Sequence, residues 1–248
     1  NEADRLHLLA EATKSAYRVR DEFFGDPAQA DVDVTGFLSD GWAERARRQI
    51  RLDGVLPGNT WHGGSLHADT VYLCVVDRDG NACSFINSLF SNWGSGILAP
   101  DCGVLLQNRG SGFRTTPGHP NAIAPRKRPF HTIIPAMLVK DGGAVMPFGV
   151  MGGQYQAVGH AHFVHRMLDR GMDPQQAAEA PRSFAFRGKL QVELANPEPI
   201  VADLKCRGHE IDIRRVPLGG CQAIWIDDDR GVLIGGSDPR KDGLALGY

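Results

Sequence analysis

The chain has 248 residues, 42% of them hydrophobic and 23% charged, an ordinary globular balance with enough length to bury a sizeable core. A formal net charge of −2 leaves no basic surplus to hold a phosphate backbone, so nucleic acid is excluded as an expected partner. No apolar run reaches the length needed to span a bilayer, and no membrane partner is expected. Thirty glycines and 15 prolines imply many tight turns between short elements, which favours a β-containing fold over a helix bundle.

Residues 2–24 carry Leu6, Leu9, Ala10, Ala16 and Phe23 near helical spacing and predict an amphipathic helix, stopped at Gly25-Asp26-Pro27. A second helix is predicted from a Ser39 or Asp40 cap through Arg51. Residues 52–68 are Gly-rich and polar and read as an exposed connector. The texture changes at Thr70. Thr70–Val76 is β-branched and apolar throughout, which predicts a strand buried on both faces. Asp77–Asn81 is turn chemistry, and Ala82–Leu89 completes a hairpin with Thr70 at its open end.

Residues 94–128 are loop-rich. Strands are then predicted over 133–139 and 145–150, with Gly152-Gly153 between the second and a helix over 156–170. A short helix over 174–179, a strand over 190–194, a helix over 200–207 and a strand over 210–216 follow. The last hairpin pairs 222–226 with 232–235. Antiparallel hairpins grouped apart from helices predict an α+β layer structure.

The five cysteines form no CxxC pair and are odd in number, so they read as reduced thiols, which favours a cytoplasmic compartment. A periplasmic or secreted setting stays open, because the chain opens on Asn1 rather than methionine.

The boundary between Asp69 and Thr70 carries the most chemistry. Were the chain cut there, Thr70 would hold a free α-amine beside its own hydroxyl. An α-amine has a pKa of about 7.7–8.0 and can act as a general base. It would take the Thr70 hydroxyl proton as the oxygen attacks an amide carbonyl and forms an acyl-enzyme. The same hydroxyl could make the cut, by attacking the Asp69 carbonyl and shifting the peptide to an ester that water opens. On local sequence alone, Thr70 as a plain β-former is the commoner case, and Gly152-Gly153 as a simple strand-to-helix turn likewise. His160, His162 and His165 share a predicted helix without a Cys or carboxylate at ligand spacing, so no metal is expected there. Tyr72, Cys74 and Trp93 read as packing, and Arg126-Lys127-Arg128 as a solvated basic loop, with anion steering as the alternative.

A series of motifs in order changes these weights. The stretch from Asp69 to Ala82 resembles the start of the small subunit in the gamma-glutamyltranspeptidase family. Gly94-Ser95-Gly96-Ile97, Leu105-Leu106-Gln107-Asn108, Lys127-Arg128-Pro129, Met151-Gly152-Gly153 and Ala180-Pro181-Arg182 continue the resemblance, through Ser237-Asp238-Pro239-Arg240 to Gly247-Tyr248. Order and spacing hold from residue 69 to 248. Residues 1–68 resemble the end of the family's large subunit.

The resemblance implies an N-terminal-nucleophile hydrolase with a four-layer αββα fold of antiparallel sheets, with most of the large subunit outside this chain. It divides the chain into 1–69, the large-subunit end with its connector, and 70–248, the catalytic small subunit. It assigns Thr70 as nucleophile, Asp69-Thr70 as the cleavage point, Gly152 and Gly153 as oxyanion-binding backbone donors, and Ser88 as the hydroxyl that orients Thr70.

The departures from the family pattern concern substrate. An acidic position in the loop after Asn108 is Gly112 here, its amide-bearing neighbour is Arg109, an Asn becomes Phe90, and paired serines become His131 and Thr132. Loss of that carboxylate and gain of the Arg109 guanidinium invite an anion rather than an ammonium group. The Asn-Arg-Gly pattern resembles a subgroup with cephalosporin-acylase-like and oxamate-amidohydrolase-like members.

The expected activity is therefore a self-cleaving amide hydrolase or acyl transferase acting on a small anionic amide. A glutathione-using transpeptidase and an uncleaved binding homologue are the rival expectations. No metal or organic cofactor is implied. The expected partners are the amide substrate and the large-subunit portion of the same precursor, and analogy allows a homodimer.

Overall fold

The computed structural model describes residues 1–58 and 69–248. In chain order the elements are α1 (Glu2–Phe23), α2 (Val34–Phe37), α3 (Asp40–Gln49), β1 (Asp69–Val76), β2 (Ala82–Phe90), β3 (Leu98–Ala99), β4 (Val104–Leu105), β5 (Ala136–Lys140), β6 (Gly143–Met151), α4 (Gln156–Leu168), α5 (Pro174–Glu179), β7 (Ser183–Phe186), β8 (Lys189–Glu193), α6 (Glu198–Cys206), β9 (Ile211–Arg214), β10 (Gly220–Asp227) and β11 (Val232–Ser237). Single 3₁₀ turns lie at Arg109–Gly112 and Gly153–Tyr155. The predicted connector's second half, 59–68, lies outside the described residues.

The described chain packs as two compact units that interleave along the sequence. One gathers residues 1–58, Arg109–His131 and Pro181–Val216. Its core is Leu6 and Ala10 of α1 against Ala185, Leu190, Val192, Val201 and Leu204. Each fully buried leucine there contributes roughly 1.5–3 kcal/mol. The sheet order is β7-β8-β9, and β8 pairs with β9 in parallel, Leu190 opposite Ile211. The other named strand pairs are antiparallel, as expected. A parallel pair needs a crossover, and α6 supplies it. The four-residue β7, too short to leave a pattern, was also not predicted.

The face that α1 buries differs from its predicted apolar stripe. Leu6 and Ala10 are buried, but Ala16 and Phe23 are exposed, while His7, Glu11, Lys14 and Ser15 are buried. Ser39 caps α3 as predicted, its hydroxyl accepting from Trp42 N at 3.2 Å. In the basic loop, Arg128 binds Asp26 through its backbone N–H (2.8 Å) and its guanidinium (3.2 Å), which holds the Asp26 carboxyl below the usual range.

The other unit gathers 69–108, Thr132–Ala180 and Pro217–Tyr248. The β1–β2 hairpin packs on a four-stranded antiparallel sheet of order β11-β10-β6-β5, and α4 and α5 pack on that same sheet. Strand β6 shows how the layers stack. A Cβ on Gly149 would lie 2.4 Å from the Tyr72 ring, so only glycine admits the hairpin there. The next residue, Val150, faces the other way and meets Gly159 of α4, where a Cβ would lie 2.5 Å from Val150 Cγ1.

Strand β1 is buried on one face only, against expectation. Thr70 and Tyr72 are buried, while Val71 is 63% exposed and Leu73, Val75 and Phe85 are each about half exposed on the outer face. Strand β5 starts at Ala136, later than predicted. Trp93 is 74% exposed rather than packed. The closing motif is structural: buried Asp238 accepts hydrogen bonds from the backbone N–H and the guanidinium of Arg240 and from Cys221 N, which fastens the chain beside β10. Among the described residues, all five cysteines are free, and no helix is long and apolar enough to cross a membrane.

Candidate active site

Thr70 opens the regular pairing of β1 with β2. Thr70 lies opposite Ser88, and Asp69 opposite Phe90, so Leu89 is the extra residue of a bulge at the Asp69–Thr70 peptide. Bulges re-aim side chains and end pairing, and are common beside active sites. Thr70 is 9% exposed, and its hydroxyl donates to Ser88 Oγ at 2.8 Å. The same Ser88 oxygen accepts from Phe90 N at 2.9 Å.

Phe90 is buried with φ +79°, a conformation that a bulky residue rarely adopts. Two bonds from Asn108 hold this turn. Asn108 N donates to Leu89 O (3.1 Å), and Asn108 Oδ1 accepts from Ser91 N (3.0 Å). The Leu-Leu-Gln-Asn motif thus fixes the strand end that carries Ser88. Sequence reasoning found Asn108 as a motif but not this work.

Two other titratable groups share Thr70's face of β1. Tyr72 hydroxyl bonds Ser84 Oγ at 2.7 Å, and burial drives its pKa up. Burial also pushes the Cys74 thiol up to about 11. Both stay protonated near neutral pH, so neither is a base for the Thr70 hydroxyl.

Gly152 and Gly153 follow the last residue of β6 and enter the 3₁₀ turn before α4. Their φ values are +139° and +58°, conformations that glycine alone adopts readily. A Cβ on Gly152 would lie 2.9 Å from Gly219 Cα, so the backbones of the two strand ends approach closely. Gly219 itself has φ +73°, and a Cβ there would lie 2.1 Å from Met151 O. Gly219 supports the pair from behind, a role the sequence did not suggest. Two backbone N–H groups at a helical N-terminus are suited to hold a developing negative oxygen.

The substrate-side expectations divide between the two units. Thr132 is buried in the unit that holds Thr70. Arg109 and His131 belong to the other unit. Arg109 is 2% exposed and opens the 3₁₀ turn, and burial opposes its charge. His131 is exposed, with Nδ1 2.6 Å from Pro129 O, so that nitrogen carries the proton. The structure joins Thr70, Ser88 and Phe90 by hydrogen bonds.

The three helical histidines do not converge. His160 Nε2 accepts from Val150 N at 3.1 Å, and burial pushes its pKa down to about 4. His165 Nδ1 meets the Asp169 carboxylate at 2.8 Å, and His162 is buried beside Tyr155.

The sequence model of one protein family, gamma-glutamyltranspeptidase, matches residues 1–248. The chain belongs to the gamma-glutamyltranspeptidase family. It is 40% identical over 250 residues to the glutathione hydrolase-like YwrD proenzyme of Bacillus subtilis, covering 97% of this chain and 47% of that protein. It is 35% identical over 257 residues to the oxamate amidohydrolase proenzyme of Klebsiella pneumoniae, covering 100% and 48%. The crystal structure of cephalosporin acylase from Bacillus halodurans superposes with a TM-score of 0.89 at 38% identity, over 99% of this chain and 46% of that one. The family chain thus spans about half the length of the curated relatives it matches. Its fold is the α+β fold of N-terminal-nucleophile hydrolases, as the motifs imply.

Proposed function

We propose that this family chain is the catalytic portion of a self-cleaving amide hydrolase or acyl transferase whose nucleophile is Thr70. The observation that carries the reading is the 2.8 Å bond from Thr70 Oγ1 to Ser88 Oγ, at a bulge that falls on the Asp69–Thr70 peptide. Curated relatives named as proenzymes support a precursor that is cut. Residues 1–69 would then end the large subunit and 70–248 form the small one. The packing units do not follow that division: residues 109–131 and 181–216 pack with 1–58. Two pieces cut at 69–70 would therefore stay interlocked.

The chemistry runs in two stages. In the precursor, Thr70 Oγ1 attacks the Asp69 carbonyl carbon, the hydroxyl proton passes to the Thr70 nitrogen as the C–N bond breaks, and the peptide becomes an ester. Water cleaves the ester, leaving the Asp69 carboxylate and a Thr70 α-amine. In turnover, that amine takes the Thr70 hydroxyl proton as Oγ1 attacks a substrate amide. Gly152 and Gly153 N–H groups hold the oxyanion, the proton passes to the leaving amine, and water or an amine resolves the acyl-enzyme. No step calls for a metal or organic cofactor.

Ser88→Ala leaves the Thr70 hydroxyl and Phe90 N without their shared partner. It is expected to lower kcat about tenfold, the equivalent of one lost hydrogen bond. Ser88→Thr, which keeps the oxygen, should restore most of that rate in a steady-state assay.

The substrate reading is a small anionic amide. Gly112 stands at the acidic position and Arg109 at its amide-bearing neighbour, so a carboxylate is lost and a guanidinium whose charge burial disfavours is gained, and the relatives include an oxamate amidohydrolase. With the full-length enzyme, oxamate or a comparable anionic amide should show a higher kcat/KM than glutathione. Arg109→Gln should raise KM for the anionic amide by about 10–100-fold, the worth of a charged hydrogen bond. Faster turnover of glutathione by the wild type would reject the anionic-amide reading in favour of glutathione hydrolysis.

A further inference from the structure

Strands β5 and β6 separate just before the candidate site. Their ladder runs from Lys140 opposite Gly143 to Ala136 opposite Phe148. The next residue outward is Pro135, which has no N–H to continue the pairing. Strand β6 continues past that point, with Val150 and Met151 still paired to Cys221 and Gly220 of β10. Carried on in register, the β5–β6 ladder would set Ile134 opposite Val150 and Thr132 opposite Gly152. The separation leaves Thr132 on one lip of a split, and the Gly152-Gly153 turn at the end of the other.

Two side chains of α4 take the place of ladder partners here. Gln156 and His160 are four residues apart and share one face of that helix. Ile134 N donates to Gln156 Oε1 at 3.1 Å, and Val150 N donates to His160 Nε2 at 3.1 Å. Each side chain thus holds one lip. Gln156 also donates its own backbone N–H to Gly153 O. One residue therefore bonds the turn through its main chain and the Ile134 lip through its side chain. Gln156 is 1% exposed. Burial pushes the His160 pKa down to about 4, so the ring stays neutral and Nε2 remains an acceptor near neutral pH. A buried backbone N–H left without an acceptor is costly, so losing either bond would shift the strand that carries it.

We infer that Gln156 and His160 are positioning residues that set the gap between Thr132 and the Gly152-Gly153 turn, Gln156 fixing the substrate side and His160 the oxyanion side. The inference rests on the proposed roles of Thr132 and of Gly152-Gly153. It divides their effects. Loosening the Ile134 lip weakens a contact made to bound substrate, which reads out in KM. Loosening the end of β6 misaligns donors that act on the developing oxyanion, which reads out in kcat.

The test uses the processed full-length enzyme and whichever of oxamate and glutathione the wild type turns over faster. Gln156→Met removes a single bond, since Gln156 Nε2 has no partner among the described residues. His160→Phe keeps a ring against Phe148, 5.0 Å away between centroids, and loses the acceptor. Gln156→Met should raise KM at least fivefold with kcat within threefold of wild type, and His160→Phe should lower kcat at least fivefold with KM within threefold, the scale of one hydrogen bond. His160→Gln, which returns an acceptor, should recover most of the kcat. Wild-type kcat and KM in both disruptive variants overturn the inference. So do kcat and KM that move together in either variant, a failure of both to fold, or a His160→Gln no faster than His160→Phe. Thr132→Val, measured alongside, separates two kinds of failure. No rise in KM there removes the substrate role of Thr132, and this inference with it; a rise there without one in Gln156→Met overturns the inference alone. A wild type that neither cleaves at Thr70 nor turns over either amide removes the catalytic reading on which both depend.

Discussion

Thr70→Ala is expected to leave the full-length protein with about 10⁻⁶ of its wild-type kcat, the scale of loss when a covalent nucleophile is removed. The variant removes the oxygen that attacks and nothing that shapes the fold. Thr70 is a buried strand residue whose backbone pairing with Ser88 does not depend on the hydroxyl. The neighbouring Tyr72 and Cys74 cannot substitute, because burial keeps both protonated. Thr70→Ser keeps a hydroxyl within reach of Ser88 and should retain measurable turnover. An unchanged Tm for Thr70→Ala would show that the loss is chemical. Residual activity above about 1% of wild type, some four powers of ten over that expectation, would place the nucleophile elsewhere.

Gly152→Ala is expected to lower kcat by about 10²–10³, the cost of losing one oxyanion donor. Two features of the backbone combine here. At φ +139° an alanine is strained wherever it sits, and its Cβ would lie 2.9 Å from Gly219 Cα, a backbone atom that cannot step aside. Relief must come from the peptide that carries the Gly152 and Gly153 N–H groups. Gly231→Ala is the matched control, since Gly231 has φ +62° in the β10–β11 turn with open space around it. That variant should lose a little stability and no kcat. Equal kcat for Gly152→Ala and wild type would remove the oxyanion role from this turn.

What the sequence made legible was local. The β1–β2 hairpin follows from a β-branched run and the Asp77–Asn81 turn, and the short helix predicted over 174–179 is α5, which the structure starts with a capping box at Asp173 and Gln176. The site's residues could be named because their motifs fall in a family order. What was illegible depends on partners distant in sequence. The parallel β8–β9 pair is set by a helix crossing over, and Gly219 matters only because it backs Gly152 from 67 residues away.

Helix α1 shows the limit most clearly. Its apolar residues predicted one buried face, yet the structure buries His7, Glu11 and Lys14, because the main chain of residues 51–56 supplies their hydrogen bonds. Strand β1 failed in the opposite direction. Its unbroken apolar run predicted burial on both faces, while Val71, Leu73 and Val75 stand exposed in this half-length chain.

The most direct test of the account is intact mass of the full-length wild-type protein, incubated beside its Thr70→Ala variant. The account predicts that the wild type yields two pieces, the second beginning at Thr70, while the variant stays whole under the same conditions. A wild type that remains intact under every condition tried would contradict it, and would make the chain an uncleaved binding member of its family.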